Sequence, residues 1–385
     1  VFFLCSLILT ALIGCAHWRS IVLKPVTILS LPEYTKTVVT NDDNEIVYPH
    51  YVLVVNKDIY LPDPSKTKVL HYRRGGEFVT TIGSNASTGS YAVTVKTYSY
   101  SVTNNGIVRV YHQTNRITNY SALSSGLTEV EYLTVDTNNT LYVVDTIEKS
   151  HIDWTGEKSF IKVYNRDGSL NTILGRDGSI MSHNTLTKPF YNIHAIMINK
   201  FNELIVLCVS GTGWTVYCYR DGILKNTAVF NQKLNTAALK RLFKEVPDNG
   251  IIGYSVTGMD VSPVKDTIII AFDTVDDEQK IVDHRIYRFA LAGEQLPVLL
   301  YRGNDSDELF YSASQDGLLY LSKYLGNYTM QFSLIGNKGS LLTRKIIRNE
   351  NVHSAEYISR PMIGPHDEIY QVQVEENILN VVVWE

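Results

Sequence analysis

A recurring phrase constrains this chain more than any other feature. Asp58 to Gly83 reads DIYLPDPSKTKVLHYRRGGEFVTTIG: three short strand-like runs separated by turns at Asp63-Pro64-Ser65 and Arg74-Gly75-Gly76. Leu141 to Gly175 repeats it as LYVVD, IKVYNRDG and SLNTILG. In both copies one strand ends in Asp (Asp63, Asp145), the next ends in Tyr-x-x-x-Gly (to Gly76, Gly168), and the last ends in Gly. A three-stranded meander cannot bury both its faces alone, so the phrase predicts neighbours of the same kind.

This phrase resembles the NHL-type repeat of β-propellers. The resemblance implies an all-β, single-domain ring of blades. Chain-wide counting supplies seven units, starting near His50, Ser90, Thr128, Tyr191, Tyr254, Glu308 and Tyr357. Seven blades are therefore expected. Six is the alternative, because the second unit can merge with its neighbours and NHL-type rings often have six. The last unit stops one strand short, and a strand over Thr35–Thr40 is expected to complete it. Joining both termini in one blade removes exposed sheet edges. Leu239, Leu242, Phe243 and Val246 fall at helical spacing, so one amphipathic helix is expected over 235–246.

The N-terminus reads as an export segment. Val1 to Gly14 is almost wholly apolar but shorter than the ~20 residues that span a bilayer. Leu12-Ile13-Gly14-Cys15 resembles the bacterial lipobox. That resemblance implies cleavage before Cys15, acylation of its thiol and amino group, and anchoring to the cell envelope, since two or more acyl chains hold where one binds marginally. Residues 1–14 are then a signal, 15–33 a lipidated end with a short tether, and 34–385 the folded body. Cleavage near Ala16, which would release a soluble secreted protein, is the other reading. The whole chain is similar in style to propeller lipoproteins of spirochaetes and other diderm bacteria.

Composition narrows the partners. The 385 residues carry a formal charge of −4, so nothing favours binding to nucleic acid phosphates. The sequence contains no nucleophile elbow, phosphate loop or HExxH pair. Aligning the units puts Glu131 opposite His194, with His50 and Arg360 near the same position. These four are the candidates for a polar cluster at the channel mouth. Loop-contact candidates are His151, Asp153 and Trp154, in an insertion within the third unit, and Trp214. Cys208 and Cys218 lie on consecutive strands and form either a disulfide or two buried thiols. The acidic run from Asp273 to Glu278 reads as solvated charge, with an oxygen-ligand calcium loop as the other reading.

Two function classes follow. One is a lipid-anchored envelope scaffold that binds a protein or glycan, with no cofactor beyond the lipid and no resident metal. The other, implied by the NHL-type resemblance, is an extracytoplasmic hydrolase or lyase using calcium or another divalent metal. The binding class is preferred, because only two of the innermost strands offer a His.

Overall fold

The computed structural model describes residues 20–32, 52–55, 57–63, 68–83, 91–94, 98–103, 106–111, 116–120, 127, 130–146, 159–179, 189–210, 213–231, 253–275, 280–292, 297–303, 308–349, 355–364 and 367–385. Short Val-, Ile- and Tyr-rich runs between tight turns form strands throughout, as their pleat-filling side chains favour. Two strands come first, β1 (Ser20–Val22) and β2 (Pro25–Leu31). Blade one is β3 (Leu53–Val55), β4 (Asp58–Pro62), β5 (Val69–Arg73) and β6 (Phe78–Ile82). A separate sheet follows, of β7 (Tyr91–Thr94), β8 (Tyr98–Thr103), β9 (Gly106–Tyr111) and β10 (Arg116–Tyr120). Blade two is β11 (Val130–Val135), β12 (Leu141–Thr146), β13 (Ser159–Tyr164) and β14 (Leu170–Gly175), extended by β15 (Gly178–Ser179). Blade three is β16 (Ile193–Ile198), β17 (Leu204–Ser210), β18 (Gly213–Arg220) and β19 (Ile223–Asn231). Blade four is β20 (Gly253–Val261), β21 (Thr267–Val275), β22 (Ile281–Ala290) and β23 (Val298–Gly303). Blade five is β24 (Leu309–Ala313), β25 (Leu319–Gly326), β26 (Thr329–Ile335) and β27 (Leu341–Arg348). Blade six is β28 (Ala355–Ile358), β29 (Met362–Ile363), β30 (Ile369–Glu375) and β31 (Ile378–Trp384), completed by β2.

The ring is a six-bladed β-propeller, which overturns the expectation of seven. Six buried clusters each join two neighbouring blades and close the circle. Leu53, Val55 and Tyr60 of blade one pack directly with Val130, Leu133 and Leu141 of blade two. The β7–β10 sheet, the expected second unit, therefore occupies no position between them. Its strands pair only among themselves.

Closure comes from both ends of the chain, by a different stretch from the one expected. β2 pairs antiparallel with β31, and Ile28 and Leu29 enter the core between blades six and one. The Gly75 amide donates to the Ile28 carbonyl from the blade-one side. β1 adds a parallel edge to β27. Both strands fall within residues 15–33, the stretch expected as a tether. The Thr35–Thr40 strand and the 235–246 helix lie outside the described residues. Among those described no helix occurs, and so none is long and apolar enough to cross a membrane.

One local device repeats at the turn from the first to the second strand. The Asp136 carboxylate accepts the Asn138 and Thr140 amides at 2.8 Å. Asn199 Oδ1 likewise accepts the Phe201 and Glu203 amides at 3.0 Å. Ser314 Oγ accepts the Leu318 amide. The fourth residue turns left-handed, at Asn139 (φ 61), Asn202 (φ 59) and Gly317 (φ 87), where Asn and Gly are tolerated best. These first-to-second and third-to-fourth turns define one face of the ring, here termed the turn face. The other connections define the mouth face.

Candidate functional site

The innermost strands begin at the mouth face, and three of them bulge there at one register. In β11 the pairing with β12 shifts between Val130 and Leu133; in β16 it shifts between Ile193 and Ala195; in β20 between Val256 and Gly258. A bulge re-aims the extra side chain out of the ladder. The residues in these positions are Glu131, His194 and Thr257, all solvent-accessible, with the His194 ring partly covered. In the hydrogen-bond register Glu131 and His194 occupy matching bulges on adjoining blades. Trp214, half-buried on β18, meets the His194 ring edge-to-face at 4.9 Å. Burial holds the His194 pKa below its ordinary value. One imidazole and one carboxylate are fewer donors than a metal centre takes.

Arg360 belongs to a second feature. Between blades five and six lies an open cavity of about 420 Å³. Met330 and Ile347 supply apolar lining, Glu356 and Asn349 polar lining, and Tyr324 and Tyr328 stand at the rim, 62% and 54% exposed. The wall is fixed by hydrogen bonds: Trp384 Nε1 donates to Gln371 Oε1 at 2.8 Å, and Gln371 Nε2 donates to the Ser359 carbonyl at 2.9 Å. Glu356 Oε1 accepts the Asn377 amide. Arg360 and Pro361 bulge out opposite Gln371, since Ser359 pairs with Val372 and Met362 with Tyr370. The Arg360 guanidinium has no carboxylate partner among the described residues. Burial pushes the Tyr311 hydroxyl up to about 12, and the Arg360 charge pulls the other way.

Cys15, His50, His151, Asp153 and Trp154 lie outside the described residues. The disulfide alternative for Cys208 and Cys218 is overturned: both thiols are free and buried. Cys208 faces Thr215, and Cys218 faces Ile205, so they are not opposed. Cys208 packs towards blade two and Cys218 towards blade four, on opposite sides of the sheet. Burial pushes each thiol up to about 12. Neither reading of the acidic run fits Asp273. It sits within β21, 2% exposed, directly opposite His284 and hydrogen-bonded to its ring. Residues 276–279 lie outside the described residues.

Other buried polar pairs, one a His–Asp hydrogen bond and the rest ion pairs, went unread in the sequence. Asp58 meets His71 Nε2 at 2.9 Å, and Asp145 meets Lys162 at 2.6 Å. Asp283 receives both Arg285 and Arg302. The legible signal was a charged residue within an apolar strand, such as Lys162 in SFIKVY. Glu203, Cys218 and Asp266 bring three ligand-type atoms together. The Glu203 carboxylate is already engaged by Asn199 and Arg220, and the Cys218 thiol stays protonated. Near the turn face the Glu203–Arg220 ion pair, not the trio, is the engaged contact.

No protein-family model matches the sequence, and no curated protein matches it either. Solved structures similar to it are propellers. A gluconolactonase from Xanthomonas campestris is 12% identical with a TM-score of 0.34, covering 88% of this chain and 96% of that one. The calcium-binding protein regucalcin from Agrobacterium tumefaciens is 9% identical with a TM-score of 0.33, covering 95% of each. The extracellular domain of a putative hybrid two-component system from Bacteroides thetaiotaomicron is 14% identical with a TM-score of 0.35. That match covers 94% of this chain and 39% of the other. At such values the likeness carries no inference about activity. The fold rests on the sheet order and interblade cores above, which define the chain as a β-propeller.

Proposed function

We propose that the protein is an exported binding propeller, held to the bacterial cell envelope by lipid on Cys15, that takes a protein or glycan partner on its mouth face. The observation that carries the binding reading is the cavity between blades five and six. Its 420 Å³ is in the range of small-ligand sites. Two exposed tyrosines offer flat apolar faces with polar tips, suited to a sugar ring or a peptide side chain. The Arg360 guanidinium offers a planar donor fork to a carboxylate or hydroxyl pair. The lipobox-like Leu12–Cys15 supports the anchor.

A photo-crosslinking side chain placed at position 328 tests this in cells, with position 265 on the turn face as control. The reading expects a discrete adduct from 328 that Arg360→Ala weakens and that position 265 does not form. Identical adduct patterns from both positions would overturn it.

A further inference from the structure

The turn face of blades three to five has a composition that the mouth face does not explain. Each of these blades exposes apolar side chains and a lysine at this face. Blade three presents Lys200 and Phe201 in one turn, with the Lys200 ammonium 5.5 Å from the Phe201 ring centre. Blade four presents Val264 and Lys265; blade five presents Lys338 and Leu342. Phe201 is 38%, Val264 40% and Leu342 52% exposed. None of the three lysines has a carboxylate partner among the described residues. Asp221 and Asp316 are the exposed acids in the described turns of these blades.

The chain also enters the fold at this face. β27 starts there, and β1 runs parallel beside it, with Ser20 opposite Arg344 and Val22 opposite Ile346. Ile21 and Val22 are 49% and 57% exposed. Ser20, the first described residue, lies at the turn-face end of blade five, where Leu342 lies. Four residues separate Cys15 from Ser20, so the two lie at most about 17 Å apart along the chain.

We propose that the turn face of blades three to five is a lipid-contacting surface that lies on an anionic bilayer. Shallow apolar side chains enter the headgroup boundary while neighbouring lysines meet lipid phosphates. The mouth-face cavity is then directed away from the membrane, open to its partner. This orientation rests on the anchoring reading above; the attraction of the face to anionic lipid does not.

The test uses the full chain carrying Cys15→Ala, so that no acyl group contributes. Partition is measured by co-sedimentation with phosphatidylcholine vesicles, with and without 30% phosphatidylglycerol. At low salt each lysine contributes about fivefold to partition on an anionic surface. The triple variant Lys200→Glu/Lys265→Glu/Lys338→Glu is expected to lower partition to the anionic vesicles at least tenfold. Arg348→Glu, at the mouth-face end of β27, should change it less than twofold. Both variants alter exposed residues, and Trp384 fluorescence confirms that each is folded. Equal losses from the triple variant and Arg348→Glu, or equal partition to both vesicle types, would overturn the proposal. The anchor is read separately, by mass spectrometry of Cys15 in the wild-type mature protein, so the two can fail independently.

Discussion

Replacing Leu29 with alanine tests whether the N-terminal strand closes the ring. Leu29 is 2% exposed, in the core that joins blade six to blade one. Its backbone is fixed on one side by the register with Val381. On the other side, the Gly75 amide holds the carbonyl of its neighbour Ile28 at 3.0 Å. With both flanks pinned, the strand cannot collapse into the space left behind. A buried Leu→Ala change of that kind costs ~2–5 kcal/mol, with the upper half favoured where relaxation is blocked. Ile21→Ala is the matched control, because Ile21 is 49% exposed on β1. Such surface changes stay within about 0.5 kcal/mol. The reporter is Trp384, 4% exposed and opposite Pro25 in the β2–β31 register. In urea, with a slope of about 3 kcal/mol/M, the Leu29→Ala midpoint should fall by roughly 1 M. Midpoints for the two variants that agree within error would refute closure by β2.

Three further outcomes follow from buried groups. Lys162→Met leaves the Asp145 carboxylate, 0% exposed, without its 2.6 Å ammonium, and should cost about 3–5 kcal/mol. Adding Asp145→Leu should restore most of that, and a double variant as unstable as the single one would argue against the pair. His194 should titrate by NMR below 6.5, because its burial favours the neutral ring. The stability that this shift contributes is present above about pH 6.5 and lost as the pH falls through the lower folded value. Trp214→Ala should move the midpoint back up, and an unmoved midpoint would show that the indole is not the burying group. For Cys208 and Cys218 the sign is opposite. Their folded values near 12 exceed the 9.0 of a free thiol, so their contribution is full below about pH 9 and lost as pH rises towards 12. Native protein should therefore resist thiol reagents at these two positions on peptide mapping, and rapid labelling at pH 8 would contradict their burial.

Much of the fold was legible because it is written locally. The aligned phrases of blades one and two predict equivalent cross-strand partners, and the registers agree: Tyr60 faces His71 where Tyr142 faces Val163, and Leu61 faces Leu70 where Val143 faces Lys162. The Asx-type turns at Asp136 and Asn199 carry a local signal too, Asp or Asn followed three residues later by Asn. The bulges at Glu131 and His194 were not legible in the unit spacing; they emerge only from the strand register.

What the sequence determined by itself is the strand-and-turn unit, since alternation, β-branched side chains and left-handed Asn or Gly positions act within a few residues. The tertiary structure decided which units share a core. The β7–β10 sheet has a blade's local grammar, yet blades one and two bury their apolar faces against each other and leave it no place. Leu29 lies in a stretch that reads as tether until the exposed edge of β31 offers it a partner. Cys208 and Cys218 have opposite parity on adjoining strands, and only the neighbouring blades reveal that each faces a different core. Asp273 reads as surface charge until His284 stands across from it in the ladder. Burial is a property of pairs distant in the chain, and no short window of sequence contains both partners.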